Sequence, residues 1–321
     1  MKARAWPARS AAWLRRRFLE VPAPLAAIEV RPRAVGAIRL TSQGGRRALG
    51  AAALVELAEG VLSVSMSEPN VRDPAAYRQA LRSAAEKAGI LGVGRVALVL
   101  PDPVARVALV PSAQVRARGR SEVDELLRFR LRRSVPFEVR DARLTTVPAG
   151  QQGGEAQLLV GAMLHSILAE YEEPCRELGL EPGLVVLAGP TILERVEAGG
   201  PPQDRLVVNW DEGYVSLLLA RAEGPALIRT LSGAAVASAE AVAREVAQTV
   251  LYYRERLGGS TLAQVVLRAG ALSAEAASAA LEEALGQRPE GLDPWGGFAQ
   301  ADPASGQALA GAAALLSTRA A

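Results

Sequence analysis

Two stretches of the chain have the pattern of a strand, a tight turn and a second strand. In residues 207–220 (VVNWDEGYVSLLLA), apolar residues flank the turn 211–213, which suits a hairpin loop with glycine in the left-handed conformation. A weaker copy lies at residues 27–40 (AIEVRPRAVGAIRL), with its turn at Pro32 and Arg33. Because one such hairpin opens each half of the chain, the pattern predicts an internal duplication.

Helical periodicity follows each hairpin. Residues 73–89 predict an amphipathic helix that Asp73 caps and Gly89 ends, with a proline in its first turn. A second helix is predicted at residues 121–135, where Ser121 begins a segment resembling a capping box. The other predicted helices are 167–178, 191–196, 238–257, 273–285 (capped by Ser273) and 307–316.

Short apolar runs between these helices predict strands. Residues 94–100 end at a proline-rich turn and residues 104–110 run on from it, so we expect a hairpin across 95–110. Strand, turn, strand, strand, helix and strand follow one another twice, which predicts an α/β protein with a duplicated core. The other predicted strands are 48–54, 60–65, 142–148, 156–163, 183–187, 226–231 and 262–269.

Composition narrows the class of protein. A chain of 321 residues, 50% hydrophobic, has the length of about two globular domains. Its net charge of +3 is too small to indicate a nucleic-acid partner. No run approaches the roughly 18 apolar residues that would predict a membrane span. The single cysteine, Cys175, is expected to be buried and fits a reducing cytoplasm.

Arginine-rich segments offer two candidate contact surfaces. In residues 1–24 arginines alternate with Trp6, Trp13 and Phe18, a composition that suits either contact with an anionic membrane or a disordered or locally packed tail. The second segment ends the helix predicted at 121–135. It is either a solvated face favoured by the helix dipole or a docking surface for an acidic or membrane-proximal partner.

Four segments together resemble the PilM family of type IV pilus assembly proteins, within the actin-like ATPase superfamily. They are the paired hairpins, EVDELLRFRLRRSVPF (122–137), QLLVGAMLHSILAEYEEPCRELGLEPGLVVL (157–187), and VAREVAQTVLYYRER with VVLRAGAL (242–256 and 265–272). The resemblance covers residues 25 to 300 and implies an α/β, actin-like ATPase fold. It also implies a basic tail (1–24), a first half (25–200) with an inserted subdomain at about 95–165, and a second half (201–321).

The resemblance implies a cytoplasmic scaffold, peripheral to the inner membrane. Its partner would be a bitopic inner-membrane protein of the PilN type, bound through that protein's N-terminal cytoplasmic tail. The family binds this peptide between the inserted subdomain and the first core subdomain. On this sequence the implied contact residues are Leu127, Arg128, Leu131 and Phe137.

The resemblance also locates two phosphate turns, which in the family read Asp-hydrophobic-Gly followed by small hydroxyl residues. Here Glu29 takes the Asp place and Arg31 the Gly place, while Pro32 has no N–H to donate to a phosphate. An arginine side chain also stands where the backbone must approach the ligand closely. The first turn is therefore expected to be degenerate.

The second turn departs from the family pattern as well. Asn209 replaces the Asp, and Asp211 with Glu212 places two carboxylates where phosphate would sit, ahead of Gly213. The adenosine-side turn, usually Gly-Gly, has only Gly270. Like-charge repulsion opposes phosphate binding, so we expect a pseudo-ATPase with no cofactor, Mg-ATP being the alternative.

Two other functions remain open on the same resemblance. One is a working ATPase or sugar-kinase-like enzyme, which would need intact phosphate turns. The other is the cytoplasmic domain of a type II secretion platform protein, which normally continues into a transmembrane helix that we do not expect here. P-loop, GxSxG, HExxH and paired CxxC motifs do not occur in the sequence.

Overall fold

The computed structural model describes residues 24–43, 46–114, 119–198, 200–201, 203–270, 274–295 and 307–320. The helices are α1 (Pro74–Lys87), α2 (Arg120–Leu131), α3 (His165–Glu177), α4 (Ala188–Ala198), α5 (Ala239–Arg256), α6 (Ala274–Leu285) and α7 (Ala310–Ala320). The strands are β1 (Ala26–Arg31), β2 (Ala34–Gln43), β3 (Arg46–Glu56), β4 (Arg95–Leu100), β5 (Arg106–Pro111), β6 (Ala142–Gln152), β7 (Glu155–Leu164), β8 (Glu181–Leu187), β9 (Arg205–Asp211), β10 (Tyr214–Arg221), β11 (Gly224–Ser232), β12 (Gln264–Ala269) and β13 (Glu290–Gly291).

Two five-stranded sheets repeat one arrangement. The first has the order β3-β2-β1-β4-β8 and the second has the order β11-β10-β9-β12-β13. In each, a hairpin and a third antiparallel strand lie on one side, and parallel strands continue on the other. Both predicted hairpins are present, and Gly213 has a φ of 76° in the second turn. The predicted duplicated α/β core is confirmed.

The helices form layers around the two sheets. Helices α1 and α3 cover the outer face of the first sheet, and α5 with α6 covers the outer face of the second. Helices α4 and α7 lie between the sheets. In α7, Leu315 and Leu316 pack on the first sheet, whereas Ala310 and Ala314 contact residues of the second. The last helix thus joins the two sheets.

The cap residues in the sequence predicted both ends of α1 correctly. The Asp73 carboxylate accepts hydrogen bonds from the N–H groups of Ala75 and Ala76, at 3.0 Å each, and α1 is followed by Gly89 with a φ of 63°. These are the N-cap and left-handed C-terminal conformations that the sequence predicts. Cys175 is buried, as expected.

A small third sheet, in the order β5-β7-β6, lies within the stretch predicted as an insert. Helix α2 packs on one of its faces through Leu127 and Leu131, against Val160 and Ala162 of β7. Strand β4 belongs to the first sheet, so the separate sheet begins only at Arg106. The predicted domain limits at residues 24 and 200 stay predictions.

The predicted hairpin across 95–110 is wrong. Strand β4 pairs in parallel with β1 and β8, whereas β5 pairs with β7 in the small sheet. The 3-10 turn Asp102–Val104 separates the two strands and redirects the chain. Adjacent apolar runs do not by themselves specify pairing, because strand partners are chosen by the core that both strands can cover.

Several local predictions differ from the structure or lie outside the described residues. Residues 60–65 do not form a strand, and the segment makes only the isolated bridge between Leu62 and Val71. Helix α2 begins after Gly119 with no side-chain cap and ends at Leu131, so the predicted capping box is wrong. Ser273 and the basic tail, with Trp6, Trp13 and Phe18, lie outside the described residues. None of the described helices combines the length and the apolar character that crossing a bilayer requires.

Candidate functional site

The turns of the two long hairpins meet in a cleft between the sheets. Arg31, at the end of β1, donates from Nε to Oδ2 of Asp211 at 3.0 Å and from Nη2 to Oδ1 at 2.8 Å. Asp211 ends β9, and its side chain is 2% exposed. This two-point pairing is the strongest geometry available to an arginine and a carboxylate. We call the surrounding space the hairpin cleft.

A second arginine, on the neighbouring strand β12, binds the same carboxylate. Arg268 of β12 donates from Nη1 to Oδ2 of Asp211 at 2.6 Å and to the side-chain oxygen of Asn209 at 3.2 Å. Burial alone would raise the pKa of Asp211, but Arg268 and Arg31 hold it well below its usual range. The hairpin cleft therefore contains a carboxylate whose charge is already neutralised by two internal cations.

Hydrogen bonds continue from Asn209 to the first sheet. Its amide nitrogen donates to Oδ2 of Asp102 at 2.9 Å, and the backbone N–H of Gly189 donates to Oδ1 at 2.7 Å. Burial raises the pKa of Asp102, and its hydrogen bonds and the Arg268 charge counteract this. Asn209 thus has both polar atoms engaged within the protein.

Glu29 has an intramolecular partner as well. Its carboxylate accepts a hydrogen bond from the N–H of Ala312 at 2.8 Å, and the residue is fully buried. Ala312 is the third residue of α7, so this N–H has no carbonyl partner within the helix. Burial raises the pKa of Glu29, whereas Arg268 and this bond lower it. Glu29 caps the last helix rather than facing an open space.

Gly270 closes the cleft from the second sheet. Its carbonyl accepts from Nη2 of Arg31 at 3.2 Å, and a Cβ placed on it would lie 2.4 Å from that atom and 2.8 Å from Asp211. The Arg31 side chain therefore occupies the space above the turn. Gly213 lies at the hairpin tip, where an added Cβ would meet no atom within 4 Å, and it takes no part in the network.

These residues do not fit a nucleotide phosphate and its Mg²⁺. Both turns would have to separate, since Arg31 and Asp211 already contact each other across the cleft. Glu212 does not add a second carboxylate there, because its side chain is 44% exposed and pairs at 3.7 Å with Arg33. Phosphate binding is therefore opposed by a buried ion-pair network, and not by the repulsion between two carboxylates and phosphate that the sequence suggested.

Two members of the network were missed from the sequence, Arg268 and Asp102. Arg268 interrupts the apolar strand VVLRA, and a charged residue inside a buried strand must be paired. Asp102 follows the buried strand β4, at the sheet edge where side chains of neighbouring strands converge. Each position carried a signal that was available in the sequence.

A concave region lies beside β8, between the first sheet and the small sheet. It has a volume of about 410 Å³. Its walls are Leu168, Glu172 and Arg176 along one face of α3, the apolar edge 184–187 of β8, and the inner face of the small sheet. We call it the β8 groove.

The two faces of the small sheet differ because strand side chains alternate. Arg143 and Thr145 of β6, with Gly161 and Met163 of β7, line the β8 groove. The intervening residues of these strands face α2. The small sheet therefore separates α2 from the groove.

The contact residues implied by the resemblance do not line the groove. Leu127 and Leu131 are buried on the far face of the small sheet, and Phe137 is partly buried against the same cluster. Arg128 donates to the carbonyls of Val139 and Ala142, the latter at 3.2 Å. Helical periodicity identified an apolar face correctly, but that face packs inside the protein. Their role as contact residues stays a prediction, and Leu127 and Leu131 are already packed against the small sheet.

Strand β8 has an edge available for pairing. Among the described residues it pairs only with β4, and its residues 184–187 are half-buried. A strand with one unpaired edge and apolar side chains is suited to adding an extended peptide.

Comparisons with known proteins bear on the fold. No protein-family model matches the sequence, and no curated protein matches it. A chain of the solved PilM–PilN type IV pilus biogenesis complex superposes with a TM-score of 0.73, at 20% identity, over 92% of this chain and 99% of that one. A Bacteroides thetaiotaomicron protein of unknown function with an actin-like ATPase fold gives 0.51, at 12% identity, over 89% and 94%. This chain has the actin-like ATPase fold.

The cytoplasmic domain of EpsL, an inner-membrane component of the Vibrio cholerae type II secretion system, gives a TM-score of 0.45 at 12% identity. The superposition covers 77% of this chain and 83% of that one. A TM-score this low does not support an argument about fold. Within the actin-like ATPase fold, the hairpins lie opposite each other as the duplication predicts. The fold brings Arg31 and Asp211 together, and their pairing then fills the cleft.

Proposed function

We propose that this protein is a non-catalytic cytoplasmic scaffold of type IV pilus assembly, held beside the inner membrane by a PilN-type partner. The observation that carries the proposal is the superposition on a chain of the PilM–PilN complex over nearly the full length of both chains. The partner's N-terminal cytoplasmic tail is the expected ligand.

The β8 groove is the proposed peptide site. Val185 and Leu187 lie along the unpaired edge of β8 on the side of α3, and Arg143 is exposed on the opposite wall. An extended peptide can pair its backbone with β8 while alternate apolar side chains enter the groove. The side chain of Arg143 makes no hydrogen bond or ion pair within the described part of the chain, so it is available to a peptide carboxylate or carbonyl.

The absence of ATP turnover is the other half of the proposal. Its support is the pair of Arg31 and Asp211, which takes up the space between the two hairpin turns. Binding a triphosphate there would cost the buried pair and would bring phosphate next to the Asp211 carboxylate.

The test is peptide binding by the full chain, measured by fluorescence anisotropy with the labelled N-terminal tail of the PilN-type protein from the same organism. Thr145→Trp, which places a bulky ring in the groove, should weaken binding at least tenfold. Thr146→Trp is the matched control, because the neighbouring residue is also exposed but faces away from the groove.

Equal effects of the two variants would refute the groove as the site. No binding of the tail at all would refute the scaffold proposal. Tight binding of a tail from a type II secretion partner, with none of the pilus peptide, would favour the type II alternative.

A further inference from the structure

The end of α2 exposes an aromatic ring on the outer side of the small sheet. Phe129 is 74% exposed, more than any other large apolar residue in the part of the chain that the structure describes. It lies between Leu127 and Leu131, both of which are buried against the sheet. The helix therefore has a core-facing side and, opposite it, a side from which Phe129 projects.

Arginines surround this ring. Arg132 follows Phe129 by three residues and retains helical backbone angles, so the two lie on one side of the helix end. Arg133 is exposed in the turn that follows. Arg130 is exposed beside them. We call the set of Phe129, Arg130, Arg132 and Arg133 the basic aromatic face.

The charges of the basic aromatic face are not neutralised internally. The side chains of Arg130, Arg132 and Arg133 form no hydrogen bond or ion pair with any described residue. Arg128, in contrast, is held by carbonyl groups and by Asp124 at 3.3 Å. Of the acidic residues of α2, Glu122 lies in the first turn and Asp124 pairs with Arg128, while Glu125 lies one turn before Phe129 and leaves the three arginines in excess. Three free guanidinium groups around an exposed ring represent a strong attraction for an anionic surface.

We propose that the basic aromatic face docks on an anionic lipid bilayer. The ring would enter the interfacial region, while the flexible arginine side chains reach lipid phosphates around it. A bilayer fits better than an acidic peptide because Phe129 projects from a convex helix end instead of lining a groove. The face lies across the small sheet from the β8 groove, so the two sites can be occupied together. This inference does not rest on the proposed pilus role.

An environment-sensitive dye at position 129 tests the contact directly. In full-length Phe129→Cys, the introduced thiol can be labelled with a nitrobenzoxadiazole dye, because Cys175 is buried and burial raises the pKa of its thiol to about 12. Vesicles containing phosphatidylglycerol should shift the dye emission to shorter wavelength, and pure phosphatidylcholine vesicles should not. Tyr252→Cys, labelled in the same way, is the control at an exposed aromatic residue beside Arg254 and Arg256.

Affinity for the same anionic vesicles provides a second measurement. Each of Arg132→Gln and Arg133→Gln should weaken co-sedimentation about fivefold, the equivalent of about 1 kcal/mol per arginine near a charged membrane. Arg254→Gln is the matched control and should have no such effect.

Several outcomes would overturn the proposal. They are no binding to anionic vesicles, binding with an unchanged signal at position 129 (which would assign the contact to another segment, such as the basic tail), and equal responses at positions 129 and 252. An equal response to soluble poly-glutamate would replace the bilayer by an acidic polypeptide.

Discussion

The hairpin cleft and the β8 groove both lie between sheets, and both are lined in part by arginine. In the hairpin cleft, Arg31 and Arg268 contact Asp211 at hydrogen-bonding distance. In the β8 groove, the side chain of Arg143 has no partner among the described residues, and an apolar strand edge lies open. The first space is occupied by the protein's own side chains, and the second is available to another molecule.

This difference separates structural from functional use of the same residue type. A buried ion pair contributes to the native state only while every member is present, because a lone buried charge is costly. An exposed arginine contributes little to folding and is free to bind a ligand. Substitutions in the hairpin cleft should therefore change stability, and substitutions in the β8 groove should change binding.

The largest expected effect is that of Asp211→Ala. It leaves Arg268, which is 1% exposed, and Arg31 without their shared carboxylate. We expect a loss of about 3–5 kcal/mol in the free energy of unfolding, measured with urea. Glu212→Ala is the control, since that exposed side chain should contribute less than about 0.5 kcal/mol. Similar losses in both variants would show that the pair does not hold the cleft closed.

Gly270→Ala should have the next largest effect. Its Cβ would lie 2.4 Å from Nη2 of Arg31, so Arg31 would have to leave Asp211. We expect a loss of about 1–3 kcal/mol, the usual cost of overpacking. Gly291→Ala, where nothing lies within 4 Å, should be nearly neutral. The cost at Gly270 should shrink in an Arg31→Ala background, and a cost that stays the same there would assign it to another contact.

Acid should remove part of the Asp211 contribution. Burial would raise the pKa of this group, but Arg268 and Arg31 lower it below the unfolded value of about 3.9. A lowered pKa stabilises the folded protein above the unfolded pKa, and this stabilisation is lost as the pH falls toward the folded pKa. The difference in unfolding free energy between the native protein and Asp211→Asn should therefore narrow by about 0.5–1 kcal/mol from about pH 6 to about pH 3.5. A constant difference would contradict the assigned charge state.

The smallest expected effect is that of Mg-ATP on the melting temperature. A ligand that binds only the folded state raises Tm, so a protein with a closed hairpin cleft should show no shift at millimolar nucleotide. A clear shift that disappears in Glu29→Ala would indicate that the cleft opens and binds nucleotide, against the proposed pseudo-ATPase.

Sequence patterns predicted the elements whose structure depends on nearby residues. Both hairpins and α1 follow from turn and cap residues within a few positions of one another. The partners of β4 and β5 could not be predicted in this way, because β1 and β7 lie far from them along the chain. The inward face of α2 could not be assigned for a related reason. Leu127 and Leu131 form an apolar stripe at helical spacing, and the same stripe is expected whether the helix packs on a core or binds a partner.

The sequence predicted which residues come together in the hairpin cleft, but only part of how they interact. The positions of Glu29, Arg31, Asn209 and Asp211 identified the cleft, but residue types alone suggested repulsion between carboxylates. The actual arrangement depends on Arg268, whose pairing requires knowing that β12 lies beside β9. A charge inside an apolar strand signals that a partner exists, without saying which residue it is.

The capping of α7 by Glu29 has a consequence for synthesis. Glu29 and Ala312, from whose N–H it accepts a hydrogen bond, are 283 positions apart in the chain. As the ribosome makes the protein, the part of the inner face of the first sheet that α7 covers must stay exposed until α7 emerges, although the strands of that sheet are complete long before. The nascent first half is thus expected to depend on chaperone protection or to fold late, in keeping with the slow closure of contacts between distant segments.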